Sequence, residues 1–222
     1  MMSVYILNKL NHDPTFRCYN LLFDMWVEGK QKRYVTEDEA RKVMGVTLPN
    51  NKYTSPHYKP GTPYFCPMLK IHKVKGELVP GVEPPARLIT ALQEGVTIRS
   101  DIFIAKSYIQ NLEKDYCKDL VKDTNETLVW LEYINNTISK TDKQIYKSFT
   151  FDYKSLYDSL KPCYVEEALK EALHICRPDW DDGFKNWLVK LVNISITSAS
   201  GKFEGEWYMQ KKWYTYWWVI MC

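Results

Sequence analysis

The residue with the clearest chemical potential is an aspartate placed where an apolar run ends. Residues 148–157 read Ser-Phe-Thr-Phe-Asp-Tyr-Lys-Ser-Leu-Tyr, and residues 147–153 alternate as a strand does. Asp152 would therefore lie at a strand end, before a turn into a helix. Nucleotidyl transfer through two divalent ions needs a carboxylate on such rigid backbone. An aspartate at a strand end is also common as a helix cap, so the residues alone leave both uses open.

A basic, proline-rich segment precedes this aspartate. Residues 52–75 contain five lysines and two histidines, and no acidic residue occurs there before Glu77, although the net charge of the whole chain is only +3. Such a segment is either a solvated loop or a surface for phosphates. Composition alone favours the loop.

Two other groups of polar residues have simpler explanations. The adjacent carboxylates Asp181 and Asp182 precede an apolar helical pattern, where acidic side chains favour the positive end of the helix dipole. We therefore predict a helix cap there. The cysteines lack the C-x-x-C spacing of a zinc site or the pattern of a disulfide framework, so they are predicted to be buried or partly buried free thiols. They are Cys18, Cys66, Cys117, Cys163, Cys176 and Cys222.

The composition is typical of a soluble globular protein, with 45% hydrophobic and 26% charged residues in 222. The N-terminus lacks the features of a signal peptide. The most apolar segment, residues 213–221, is too short to cross a bilayer. We expect an intracellular protein without membrane contact.

Local signals predict helices in the first part of the chain. Asp13-Pro14 predicts a helix start, and Gly29 is the predicted end of that helix. Thr36 opens a capping box with Glu39, and Gly45 closes the second helix.

Later segments alternate between short strands and helices. Extended pieces are predicted at 64–74 and 87–92, and a tight turn between strands at 203–207. Helices are predicted at 97–116, 124–138, 165–176 and 183–196. The first of these has an apolar face of Ile98, Ile102, Ala105, Ile109 and Leu112, and the second has one of Leu128, Leu131, Ile134 and Ile138. The predicted fold class is α+β, rich in helices with a few short strands.

Four blocks of this sequence resemble the Penelope-like reverse transcriptases. Residues 64–73, Tyr-Phe-Cys-Pro-Met-Leu-Lys-Ile-His-Lys, resemble the family's F-Y-G-L-P-K-I-H-K block. Residues 85–90 resemble R-P-I-V-S, and residues 151–157 resemble F-D-V-x-S-L-Y. Residues 203–211 resemble F-x-F-N-G-x-Y-x-Q-x. The blocks stand in family order and cover about residues 64–212.

The resemblance implies a polymerase site. Asp152 would be the catalytic carboxylate that binds Mg²⁺, and Tyr157 would lie under the sugar of the incoming nucleotide. Arg87 would clamp the triphosphate, and Lys70 and Lys73 would contact phosphates. The family's R-P-I reads Arg-Leu-Ile here, so the proline turn that would place Arg87 is lost.

The same resemblance implies partners and a division of the chain. The partners would be an RNA template, a DNA primer and a deoxynucleoside triphosphate. Reverse-transcriptase-like fingers would be followed by an incomplete palm. The implied parts are an N-terminal helical region at 1–60, fingers at 61–146, partial palm at 147–212 and a tail at 213–222.

The tail departs from the family pattern in a specific way. Trp213, Trp217 and Trp218 stand where the family continues with G-I-P-T-G-G-S-L-C. Because tryptophan has the single codon TGG, reading one base later gives glycines at the expected spacing. We therefore expect a one-base shift near the codons of Lys211 and Lys212. The Y-x-D-D motif that completes the family's metal site is missing, so we predict a catalytically incomplete fragment.

Two other functions remain open. The chain could be a non-catalytic nucleic-acid-binding module derived from polymerase fingers. It could also be a structural remnant without a ligand.

Overall fold

The computed structural model describes residues 7–45, 61–69, 86–91, 95–117, 123–137 and 161–210. The helices are α1 Thr15–Gln31, α2 Glu37–Met44, α3 Ile98–Ile104, a π-helical segment Ala105–Ile109, α4 Gln110–Tyr116, α5 Thr124–Thr137, α6 Pro162–Cys176 and α7 Asp182–Thr197. The strands are β1 Leu7–Lys9, β2 Tyr64–Leu69, β3 Ala86–Ala91, β4 Ser200–Phe203 and β5 Glu206–Gln210. This helix-rich α+β architecture is the predicted fold class. None of the helices described is both long and apolar enough to cross a bilayer.

The strands form one sheet in the order β1-β5-β4-β2-β3. The predicted extended pieces pair antiparallel as β2 and β3, from Tyr64 opposite Ala91 to Leu69 opposite Ala86. β4 runs parallel to β2 and antiparallel to β5. β1 was not predicted, and it adds to the far edge of β5 in an antiparallel pair.

The start of α1 is confirmed and its predicted end is wrong. The carboxylate of Asp13 accepts a hydrogen bond from the backbone N–H of Thr15 at 2.8 Å. The helix continues two residues beyond Gly29 to Gln31. Gly29 is buried against the indole of Trp187, where a Cβ atom would lie 2.6 Å from Cζ2. The glycine allows close packing of two helices rather than ending one.

The caps of α2 are confirmed. Thr36 Oγ1 accepts a hydrogen bond from the N–H of Glu39, and the Glu39 carboxylate accepts one from the N–H of Thr36. Gly45 follows the helix with φ of 70°, the left-handed conformation that glycine adopts without steric cost.

The core lies among α1, α2, α3, α6 and α7. At its centre the rings of Trp26 and Trp187 meet edge to face with centroids 5.6 Å apart. Trp26 Nε1 lies 3.3 Å from Ser100 Oγ, and Trp187 Nε1 donates to the carbonyl of Met25 at 2.8 Å. Both buried indoles therefore satisfy their polar group while they join three helices.

The predicted apolar face of the helix after residue 97 is confirmed at Ala105 and Leu112, which are buried, and at Ile109, which packs against the core, but it is wrong at Ile102. Ile102 is 40% exposed, whereas Ser100, Asp101 and Ile104 are buried. The helix also contains the π-helical segment Ala105–Ile109. Its extra residue brings Phe103 and Tyr108 together with centroids 6.0 Å apart, although residues five apart in a regular α-helix differ by about 140° around the axis.

Helix α5 has the predicted extent but not the predicted burial. It spans Thr124–Thr137 and contains no buried residue. Leu128 is 58% exposed and Leu131 is 45% exposed. Val129, Trp130 and Tyr133 are also exposed, so apolar side chains project on every side of this helix.

Candidate nucleic-acid interface

Most residues of the predicted polymerase site lie outside the part of the chain that the structure describes. These are Lys70, Lys73, Asp152 and Tyr157. The backbone of Arg87 is described in β3, where it pairs in register with Met68 of β2. The metal and sugar positions of the predicted site therefore stay predictions.

Three of the four sequence blocks converge in the sheet. The first block forms β2, the second forms β3, and the fourth begins at the end of β4 and forms β5. Tyr64 of β2 pairs with Lys202 of β4, and the N–H of Lys202 donates to the carbonyl of Pro63 at 2.8 Å. Segments far apart in the sequence thus become neighbours.

A row of three side chains crosses one face of this sheet. Lys202 pairs with Tyr64 on one side and with Trp207 on the other. Because residues paired across strands project from the same face, the three side chains are neighbours there. We call Tyr64, Lys202 and Trp207 the aromatic row. With strands about 4.8 Å apart, the row spans about 10 Å.

The aromatic row is accessible. Tyr64 is 56% exposed, and Lys202 and Trp207 are half-buried. The ammonium of Lys202 lies 5.3 Å from the centroid of the Trp207 ring, within cation–π distance. Lys202 forms no ion pair with any other residue that the structure describes. Its charge is therefore available to an anionic ligand.

The opposite face of the sheet fixes which side the aromatic row occupies. Phe65, the residue after Tyr64, is only 4% exposed. It packs over Gly201, where a Cβ atom would lie 3.3 Å from Phe65 Cε2 and 3.1 Å from the carbonyl oxygen of Pro63. A register slip of one residue would expose Phe65 and bury Tyr64. Burial of Phe65 therefore holds Tyr64 in the exposed position.

The predicted tight turn between β4 and β5 is confirmed, and it aligns Lys202 with Trp207. Its two central residues, Glu204 and Gly205, have φ of 50° and 83°. Positive φ at both positions is the pattern of a type I′ hairpin, whose twist matches that of the strands. Glycine accepts this conformation freely, whereas glutamate adopts it at a cost.

The acidic pair before α7 is a cap, as predicted. Asp181 accepts a hydrogen bond from the N–H of Phe184 at 2.9 Å, and Asp182 forms an ion pair with Lys185 at 3.4 Å. Throughout the described ranges, no group of three histidine, cysteine or acidic side chains is arranged to hold a metal ion. The five cysteines in those ranges form no disulfide; Cys18 is buried and Cys117 and Cys176 are partly buried as predicted, whereas Cys66 and Cys163 are exposed, contrary to the prediction.

A pocket of about 350 Å³ lies between α6 and α7. It is lined by Lys170, Leu173, His174, Asp182, Lys185, Asn186 and Val189. Lys170 is paired with Glu166 at 2.6 Å, and Lys185 is paired with Asp182. Because both cations already have carboxylate partners, the pocket is a weaker anion site than the aromatic row.

One buried titratable residue was not predicted from the sequence. Asp101 is only 3% exposed, at the contact of α3 with α1 and α7. Burial raises the pKa of its carboxyl to about 7, and the nearby hydroxyls of Ser195 and Thr97 lower it by less. Neither carboxylate oxygen has a partner in hydrogen-bond geometry among the residues whose structure is described. Burial likewise raises the pKa of the neighbouring Cys18 thiol to about 11.

The aromatic row combines what single-stranded nucleic acids require of a protein surface. Aromatic rings offer faces on which unpaired bases stack, and a lysine between them offers charge to a phosphate. In the sequence, β2 of this sheet lies within the basic segment 52–75. Comparison of the chain with known protein families, with curated proteins and with solved structures finds no match in any of the three.

Proposed function

We propose that the chain descends from the reverse transcriptase of a Penelope-like retroelement and corresponds to its fingers and the first part of its palm. The observation that carries the proposal is the order of the four sequence blocks between residues 64 and 212. Their arrangement supports it, because three of them are neighbours in one sheet. Blocks with a common function are expected to meet in space.

The β2–β3 pairing supports the roles proposed for the basic residues. Leu69, the last residue of β2, pairs with Ala86, which precedes Arg87. Arg87 pairs with Met68 near this end of the two strands, and Lys70 follows Leu69 in the sequence. In this proposal Arg87 clamps the triphosphate of the incoming nucleotide, while Lys70 and Lys73 contact phosphates of nucleotide or template.

Catalysis by these 222 residues alone is not part of the proposal. Asp152 would supply one carboxylate to Mg²⁺, and Tyr157 would lie under the sugar of the nucleotide. Two-metal transfer requires further carboxylates to hold the second ion, and the sequence contains no Y-x-D-D. The residues present therefore do not make a complete magnesium site.

Primer extension tests this part of the proposal. The purified 222-residue chain is given an RNA template, a labelled DNA primer, deoxynucleoside triphosphates and Mg²⁺. We expect no template-dependent extension, while an intact reverse transcriptase extends the same primer. Extension that is lost in Asp152→Asn would show that the chain has a working site and would overturn the prediction of inactivity.

Sequencing of the transcript tests the descent itself. Reads should cross the codons of Lys211 and Lys212 and continue for several hundred bases. If the proposal is correct, the frame shifted by one base opens into glycine-rich residues and then Y-x-D-D. If the present frame continues without that motif, descent rests on the upstream blocks alone and the binding module becomes the better proposal.

The second candidate is a non-catalytic nucleic-acid-binding module. The exposed aromatic row and the basic segment favour it, because both suit a polyanion irrespective of catalysis. The test is fluorescence anisotropy with labelled RNA and DNA at several salt concentrations. Binding should weaken when Lys70, Lys73 and Arg87 are all changed to glutamine.

A matched control distinguishes the effect of losing these contacts from the effect of lowering the net charge. The triple change of Lys42, Lys106 and Lys190 to glutamine removes the same charge from exposed helix positions. If both triple variants weaken binding equally, the three proposed residues have no special role. If neither weakens it, the proposed phosphate contacts are wrong.

A further inference from the structure

We propose that the aromatic row is a stacking surface for single-stranded nucleic acid, with one base on Tyr64, one on Trp207 and the intervening phosphate at Lys202. This proposal rests on the proposed function for its class of ligand, a nucleic acid. The family resemblance assigns no role to the aromatic row itself. Its carrying observation is the pairing of these three residues across β2, β4 and β5.

The geometry suits two bases that are separated rather than stacked on each other. Tyr64 and Trp207 flank Lys202 on the two neighbouring strands, about 10 Å apart. An extended single strand can place bases on both rings and its phosphate near the lysine between them. Aromatic side chains on a sheet bind unstacked bases in this way in RNA-binding modules.

The Lys202 ammonium lies close to the position that we propose for the phosphate. The ammonium lies over the Trp207 ring at 5.3 Å. At an accessible position such a cation–π contact is weak, so the lysine can turn toward a phosphate at little cost. The uncovered ring face would then be open to a base.

Charge favours a nucleic acid over a protein as the occupant. β2 lies within residues 52–75, which include five lysines and no acidic residue. The strand therefore belongs to the most cationic part of the chain, which attracts a polyanion. A second copy of the chain would bring the same cationic segment to the contact and be repelled.

A base-stacking test distinguishes this surface from simple attraction of phosphates. Anisotropy is measured with a labelled single strand, with an abasic strand of equal length, and with the matching duplex. The single strand should bind most tightly. Tyr64→Ala and Trp207→Ala should each weaken its binding by about 5- to 150-fold, which corresponds to about 1–3 kcal/mol per stacked base. Binding of the abasic strand should not change.

Conservative variants and a control variant at a distant site distinguish loss of base stacking from unfolding of the chain. Tyr64→Phe keeps the ring and should retain binding. Because the side chain of Tyr64 is 56% exposed, Tyr64→Ala should leave the fold intact. Trp207→Leu keeps apolar volume without an aromatic face and should bind as weakly as Trp207→Ala. Tyr133→Ala removes a ring that is 65% exposed on α5 and should have no effect. Circular dichroism of each variant should match the parent chain.

The outcomes separate this proposal from the proposed function. If the single strand binds no better than the abasic strand and Tyr64→Ala has no effect, the aromatic row is refuted. Phosphate contacts at Lys70, Lys73 and Arg87 could still stand. If Tyr64→Ala weakens binding but the triple glutamine variant of those three residues does not, the aromatic row stands and their proposed roles fail. Absence of binding to every strand refutes both.

Discussion

Asp101 is an ionisable side chain in a place where burial opposes its charge. It lies near Cys18 of α1, Thr97 four residues earlier in the chain and Ser195 of α7. None of these neighbours is a cation that would compensate a carboxylate. The hydroxyls lower the carboxyl pKa less than desolvation raises it, so the value is about 7 instead of 3.8.

The raised pKa makes stability depend on pH in a direction opposite to that of a salt-bridged aspartate. Between pH 4 and pH 7 the folded chain retains a proton that the unfolded chain has lost. The contribution of Asp101 to the free energy of unfolding therefore falls through this window and is constant above about pH 7. The total loss is about 4 kcal/mol for a shift of this size.

Asp101→Asn should remove that dependence. The neutral amide carries no ionisation cost, so the variant should be about as stable as the parent chain at pH 4 and more stable at pH 8. Urea unfolding of both proteins at pH 4, 6, 7 and 8 measures the difference between their free energies of unfolding. The contributions of the other titrating groups cancel in this difference. A difference that stays constant over this range would contradict the raised pKa.

Gly29 illustrates a residue whose role depends on a partner far away in the sequence. Gly29→Ala would gain about 1 kcal/mol of helix propensity at an open position. Here the new methyl would lie 2.6 Å from Cζ2 of Trp187, whose ring is buried and cannot move freely. Overpacking costs about 1–3 kcal/mol, so we expect a net decrease in the free energy of unfolding.

The double variant with Trp187→Phe checks this explanation. A smaller ring should leave room for the methyl, so Gly29→Ala should cost less in the Trp187→Phe background than in the parent chain. Thermal or urea unfolding of the four proteins gives the coupling energy. Stabilisation by Gly29→Ala in the parent chain would show that the two helices separate readily.

Elements with strong local signals could be predicted from the sequence. The capping box at Thr36, the glycine at 45 and the turn at Glu204-Gly205 are set by residues within a few positions of one another. The predicted apolar face after residue 97 was wrong at Ile102, because apolar spacing suggested its burial, whereas packing against α1 and α7 buries Ser100 and Asp101 instead. Tertiary contacts decided that face, and no local pattern encodes them.

The sheet and its aromatic row could not be predicted in the same way. β1 has only three residues, too few for a recognisable alternation. The pairing of Tyr64 with Lys202 joins the first block to β4, a strand far away in the sequence whose last residue begins the fourth block. The first three blocks supplied the predicted residues of the polymerase site. The aromatic row, in contrast, forms only when β2, β4 and β5 pair in the folded sheet.

The β4–β5 hairpin offers a direct test of its turn. Glu204 has φ of 50°, a conformation that costs an ordinary L-residue about 1–2 kcal/mol. Asparagine tolerates it better, so Glu204→Asn should raise the free energy of unfolding by up to about 1 kcal/mol. Glu204→Ala removes the same charge but keeps the cost, and should give no such gain in urea unfolding. Equal effects of both changes would assign the gain to charge.

If the chain binds nucleic acid as proposed, the attraction must come from a local arrangement of cations. The net charge is only +3, so general attraction of phosphates is weak. Lys70, Lys73, Arg87 and Lys202 are the four cations that the two proposals assign to phosphates. If each makes one contact with a single strand, the logarithm of the binding constant should fall with the logarithm of salt concentration with a slope of about −3.

The salt slope therefore counts these contacts. Raising monovalent salt from about 50 to 200 mM should weaken single-strand binding about 50-fold at that slope. Lys202→Gln should make the slope shallower by about 0.7, and the combined change of Lys70, Lys73 and Arg87 by about 2. The control triple at Lys42, Lys106 and Lys190 should leave it unchanged. A slope that depends only on net charge, equal for both triples, would mean that the chain attracts nucleic acid without a defined phosphate path.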